Sequence, residues 1–159
     1  MQLAEQVWVT RSEEETIQLG ERLGRALSAP AVLLLKGELG AGKTALTRGL
    51  ARGLGLEDAT QVHSPTFSLV NIYRLPGSRT LVHIDLYRLE TPRDFHSIDL
   101  DELLDPDPGE IVVVEWAEKI PWPVPTGIEI EIAVGGEEEE RRFTVRGGPA
   151  ATEKLGSPS

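Results

Sequence analysis

Cysteine is absent from the 159 residues, which removes disulfides, thiolate-bound zinc, iron–sulfur clusters and a cysteine nucleophile together. Basic residues are scarce relative to acidic ones: 16 Lys and Arg face 26 Asp and Glu, a formal charge of −10. Affinity for a polyphosphate rests largely on Lys and Arg displacing counterions, so unaided binding of RNA or DNA is disfavoured. Long hydrophobic runs are lacking too. The longest strongly apolar stretches, residues 31–35 and 111–114, fall far short of the ~20 residues that a membrane-spanning helix needs, so no membrane is expected to be crossed. Residues 1–10 hold no basic cluster followed by an apolar stretch. No secretory signal is therefore expected, and the cytoplasm is the expected location.

Apolar residues make up 40% of the chain and charged residues 26%, a mixture that builds a core rather than a disordered chain. The length suits one domain, expected over residues 1–147, with the Gly-, Pro-, Ser- and Ala-rich residues 148–159 as a disordered tail. Trp8 between Val7 and Val9 opens as a short extended segment, and Ser12 with Glu15 forms a capping box for a helix bearing Ile17, Leu19, Leu23, Ala26 and Leu27. The uninterrupted apolar residues 31–35 suit a central strand covered on both faces. A second helix from about Lys43 to Leu54 carries Leu46, Leu50 and Leu54 on one stripe. Strands are expected over residues 66–75 and 79–89, joined through Pro76-Gly77-Ser78, with a whole or broken helix over 93–104 opened by Thr91-Pro92. Residues 111–115 read as another buried strand, and 128–134 alternate as a strand whose hairpin partner holds Phe143 and Val145. The fold class is α/β: a mixed sheet flanked by helices, closed by a C-terminal antiparallel hairpin.

Gly37-Glu38-Leu39-Gly40-Ala41-Gly42-Lys43-Thr44 matches G-x-x-x-x-G-K-[ST] between an apolar strand and a helix, the placement that a phosphate-binding loop requires. Composition alone produces the pattern roughly 0.5% of the time in such a chain. Phosphate needs backbone N–H donors with no Cβ in the way and the positive end of a helix dipole behind them. Lys43 would meet the β- and γ-phosphates, and Thr44 would place its hydroxyl on Mg²⁺. ATP is the expected nucleotide: no Asn-Lys-x-Asp guanine reader or Asp-x-x-Gly switch is present, no Leu-Ser-Gly-Gly transporter signature, and no arginine-rich lid of a nucleoside monophosphate kinase.

Such a site needs a carboxylate at the end of a neighbouring strand. Glu115 ends the Ile-Val-Val-Val run, and Asp85 ends Leu81-Val82-His83-Ile84-Asp85. The reading assigns Glu115 to Mg²⁺ and Asp85 to the attacking water or the ion's outer shell, and the residues alone leave the assignment open. Trp116 suits core packing as well as base stacking. Ser64-Pro65-Thr66-Phe67 is either a plain turn or a γ-phosphate sensor. His63, His83 and His96 lack metal-ligand spacing; only His83 shares a strand face with Asp85.

In order and wording the motifs resemble one family, the bacterial TsaE (formerly YjeE) proteins of tRNA threonylcarbamoyladenosine (t6A) biosynthesis. The likeness is collinear over residues 12–119. It is carried by the glycine-rich loop, by Ser64-Pro65-Thr66-Phe67-Ser68-Leu69-Val70, by His83-Ile84-Asp85-Leu86-Tyr87-Arg88-Leu89 and by Val114-Glu115-Trp116-Ala117-Glu118-Lys119. The resemblance implies a P-loop ATPase, weakly active alone, that works with the subunits TsaD and TsaB and meets tRNA only through them. It further implies Thr44 and Glu115 at Mg²⁺, Asp85 needed for hydrolysis and Trp116 in a functional role. Two other readings of the same loop are a small-molecule kinase and an ATP-gated binding module without obligatory hydrolysis.

Overall fold

The computed structural model describes residues 4–37, 42–59, 62 and 69–147. In chain order its elements are β1 (Ala4–Thr10), α1 (Glu13–Ala26), β2 (Ala31–Gly37), α2 (Lys43–Gly53), β3 (Val70–Leu75), β4 (Arg79–Asp85), α3 (Pro92–Ser97), α4 (Leu100–Leu103), β5 (Glu110–Glu115), a 3₁₀ turn (Ala117–Lys119), β6 (Ile128–Val134) and β7 (Arg141–Gly147). The seven strands form one sheet in the order β1-β7-β6-β2-β5-β4-β3. Its centre is parallel, with β2 between β5 and β6 and β4 beside β5; β3 and the β7–β1 pair flank it in antiparallel register. Parallel neighbours need crossovers that cover the sheet, and this is why β2 and β5 are apolar on both faces.

Alternation along β2 divides the core. Leu33 and Leu35 join Leu19, Leu23, Leu46 and Leu50 of α1 and α2, whereas Val32 and Leu34 join Phe95, Leu100 and Leu104 on the opposite face. Ser12 caps α1 as its sequence predicts, its hydroxyl accepting the Glu15 N–H at 3.0 Å. Helices α1 and α2 pack backbone to backbone through glycines: a Cβ at Gly49 would lie 2.1 Å from the Ile17 carbonyl oxygen, and one at Gly20 would lie 2.4 Å from that of Leu46. Among the described residues, no helix is long and apolar enough to cross a membrane.

Two strand boundaries differ from the sequence reading, and the helix over 93–104 takes the broken form it allowed. Strand β4 stops at Asp85 rather than running on to Leu89, because the Asp85 carboxylate turns back to accept the Tyr87 N–H at 2.9 Å and so replaces a ladder partner with a local turn. Strand β3 starts at Val70; residues 66–68 lie outside the described residues. The 93–104 helix is broken at Asp99, whose φ of 53° is left-handed and ends helical propagation. Its first half begins at Pro92 as Thr91-Pro92 predicts, the Thr91 hydroxyl accepting the Asp94 N–H at 3.4 Å while Asp94 Oδ2 accepts the N–H groups of Glu90 and Thr91 at 2.9 Å each. Residues 148–159 lie outside the described residues.

Candidate functional site

The carboxyl ends of the central parallel strands converge. In an open parallel sheet this is where ligands bind, because the loops leaving the strands diverge to opposite faces there. Leu35 pairs with Glu115, and Asp85 pairs with Glu115 from the other side, so Gly37, Asp85 and Glu115 end their strands at neighbouring positions. Gly37 has φ 153°, and a Cβ on it would sit 2.5 Å from the Ile132 carbonyl oxygen. Only glycine lets the chain leave β2 beside β6 in this way. Gly42, at φ 106°, is the N-cap of α2 and supplies no side-chain cap; a helix start of this kind is where anions bind.

Lys43, the first residue of α2, is buried, and its Nζ donates to the Gly37 carbonyl oxygen. The same ammonium lies 4.1 Å from the centroid of the Trp116 ring, and Trp116 packs against Tyr87 at 5.1 Å. Trp116 leaves β5 with φ 61°, a left-handed conformation that turns its ring from the strand toward Lys43. The Thr44 hydroxyl donates to Glu115 Oε1 at 3.2 Å. Glu115 is only 2% exposed, and its other oxygen, Oε2, accepts from His83 Nε2. A buried carboxylate without partners would be costly, and these contacts offset much of that cost. Glu118, on the 3₁₀ turn, accepts the Gly37 N–H at 3.1 Å. The first glycine of the loop is thus held at both its N–H and its carbonyl.

A family model described as "Threonylcarbamoyl adenosine biosynthesis protein TsaE" matches residues 10–143, a span that takes in every strand end and side chain just described. The chain belongs to the TsaE family. A protein of Nostoc sp. named as tRNA threonylcarbamoyladenosine biosynthesis protein TsaE is 43% identical over 79% of this chain and 76% of its own. The Aquifex aeolicus protein of the same name is 41% identical over 83% of this chain and 90% of its own. The crystal structure of YdiB from Bacillus subtilis superposes with a TM-score of 0.67 at 28% identity, covering 92% of this chain and 88% of that one. The mixed α/β P-loop fold expected from the sequence is therefore the fold of this TsaE chain.

Of the TsaE site residues expected from the sequence, the structure brings together Gly37, Gly42, Lys43, Thr44, Asp85, Glu115 and Trp116. Glu38, Leu39, Gly40 and Ala41 lie outside the described residues, as do His63 and Ser64-Pro65-Thr66-Phe67. Trp116 is half-buried, packed on the α3–α4 side of the core and also beneath the Lys43 ammonium. Sequence reasoning gave no role to Glu118, although it lies in the Val114–Lys119 motif that carries the resemblance. It also undervalued His83, which alternation set on the correct face and which proves fully buried against Glu115.

The oxygen-only pair of Thr44 hydroxyl and Glu115 carboxylate fits a small hard cation. Among the described residues no three His, Asp or Glu side chains converge as a metal cage. Mg²⁺ does not call for one, since it usually takes one or two protein oxygens and completes its shell with phosphate and water. A hollow of about 160 Å³ opens beside the start of α2, lined by Ser12, Thr16, Gly42, Ala45, Glu139 and Arg141.

Proposed function

We propose that this chain is a Mg²⁺-dependent ATPase of t6A biosynthesis that acts in the cytoplasm with TsaD and TsaB and meets tRNA only through that complex. The observation that carries the reading is the 3.2 Å contact between the Thr44 hydroxyl and the buried Glu115 carboxylate at the head of the helix that Lys43 opens. This is the juxtaposition a P-loop uses to hold a metal-bound triphosphate.

In this reading the amides of the loop from Gly37 to Thr44 and the start of α2 bind the phosphates, and Lys43 exchanges the Gly37 carbonyl for phosphate oxygens. Thr44 and Glu115 hold Mg²⁺, which when bound supplies positive charge to the β- and γ-phosphate oxygens. Asp85 ends the adjacent strand in direct register with Glu115 and orients the attacking water. Trp116 lies beside the phosphate end, its ring against the Lys43 ammonium until nucleotide draws that ammonium to phosphate. The hollow beside Gly42 and Ala45 takes the nucleoside end. The chain's charge of −10 supports an arrangement in which a partner, not this chain, carries the tRNA backbone.

The test is ATP turnover by the chain alone and mixed with TsaD and TsaB. Turnover should rise on mixing and vanish in Lys43→Ala. No increase over the isolated chain, together with no loss in Lys43→Ala, would overturn the reading.

A further inference from the structure

His83 has no part in the site just proposed, yet it is among the most enclosed polar groups of the molecule. Its side chain is 0% exposed on the α2 face of the sheet, set between Leu81 and Asp85 on β4, and Nε2 reaches Glu115 Oε2 on the adjacent strand. Its other nitrogen, Nδ1, is buried with no hydrogen-bond partner among the described residues. An unpartnered buried nitrogen costs stability, and a leucine would fill a position between apolar neighbours without that cost. Core packing alone therefore does not account for an imidazole here. A single directed hydrogen bond to one oxygen of one carboxylate does.

We infer that His83 is a positioning residue for the metal-binding carboxylate: its Nε2–H occupies Glu115 Oε2 and leaves Oε1 turned toward Thr44. The inference rests on the proposed Mg²⁺–ATP site. A carboxylate free to rotate about its terminal bond presents either oxygen, or both, to a cation. Glu115 does not have that freedom, because Oε2 is held by His83 from β4 and Oε1 meets the Thr44 hydroxyl from α2. Hydrogen bonds to the far side of a metal ligand set its orientation, and their loss typically lowers metal affinity by about 10- to 100-fold. Nucleotide phosphates held by backbone amides alone do not depend on His83.

The experiment compares three variants with the wild type, reading Mn²⁺ affinity by electron paramagnetic resonance in the presence of ATP and nucleotide affinity with and without chelator. His83→Leu keeps the volume and removes the donor. Gln places its amide nitrogen near the position of Nε2, whereas Asn is too short to reach Glu115. Mn²⁺ should bind at least ~10-fold more weakly to His83→Leu and His83→Asn and within ~3-fold of wild type to His83→Gln, with metal-free nucleotide affinity unchanged in all three. If His83→Leu fails to fold, the Gln and Asn pair decides. Equal Mn²⁺ affinity in Gln and Asn, or a loss of metal-free nucleotide binding that matches the loss of Mn²⁺, overturns the inference. Failure of the wild type itself to bind Mn²⁺ with ATP would instead overturn the ATPase reading.

Discussion

Replacing Gly49 by alanine reverses the usual effect of that substitution. In an exposed helix interior, Gly→Ala stabilises by about 1 kcal/mol, because alanine has less backbone freedom to lose. Gly49 lies in the middle of α2, where the new Cβ would sit 2.1 Å from the Ile17 carbonyl oxygen and 2.9 Å from its carbon. Normal carbon–oxygen contact is about 3.3 Å, so α1 must move outward by roughly 1 Å, and overpacking of this kind costs about 1–3 kcal/mol or more. Both atoms in the clash belong to backbone, so no side chain can rotate away. The cost therefore falls at the upper end of that range, about 2–3 kcal/mol; less the propensity gain of about 1 kcal/mol, a net loss of about 1–2 kcal/mol is expected, or roughly 2–8 °C in Tm for a domain of this size. Thermal unfolding followed by circular dichroism measures it. Gln18→Gly, at an exposed position of α1, supplies the control by losing stability through propensity alone. A Gly49→Ala protein that melts at or above the wild-type temperature would refute the claim that the two helices meet through their backbones.

Three further outcomes follow from the site and its surroundings. Asp85→Asn keeps the oxygen that accepts the Tyr87 N–H, so the chain should fold and bind ATP within ~3-fold of wild type while hydrolysing it ~10²-fold or more slowly; equal loss of binding and hydrolysis would deny Asp85 a transition-state role. Lys43 leaving the Trp116 ring for phosphate should change Trp116 emission on addition of Mg²⁺ and ATP, read in a chain with Trp8 and Trp122 replaced by phenylalanine; an unchanged spectrum at saturation counts against that movement. The N–H groups of Glu90 and Thr91 hold the Asp94 carboxyl below its ordinary value of 3.8. Its stabilisation is thus complete above that value and is lost as pH falls through the lower folded one. The gap in urea midpoint between wild type and Asp94→Asn should be present at about pH 6 and shrink below about pH 4; a gap independent of pH would exclude the ionised cap.

Local chemistry made much of this molecule legible without coordinates. The strand–loop–helix around Gly37 and Lys43 could be read because glycine, lysine and threonine at fixed spacing have one common physical use, and Glu115 could be read because a carboxylate ending an apolar strand needs a reason. Strand ends and helix breaks were less legible. The end of β4 depends on the Asp85 carboxylate reaching the Tyr87 N–H, and the break near Asp99 on a single left-handed residue; neither departs from the local hydrophobic pattern.

Sequence periodicity by itself determined which segments are strands and helices and which residues end them at the glycine-rich loop, because patterning and turn chemistry act over a few neighbours. Tertiary structure alone decided which side chains meet. The placing of β5 between β2 and β4, and the register that pairs Asp85 with Glu115, bring His83 to Glu115 across 32 residues and Thr44 to it across 71. Glycine faces that let α1 lie against α2 are likewise invisible until both helices are in place, since a close approach belongs to two segments and is written in neither alone.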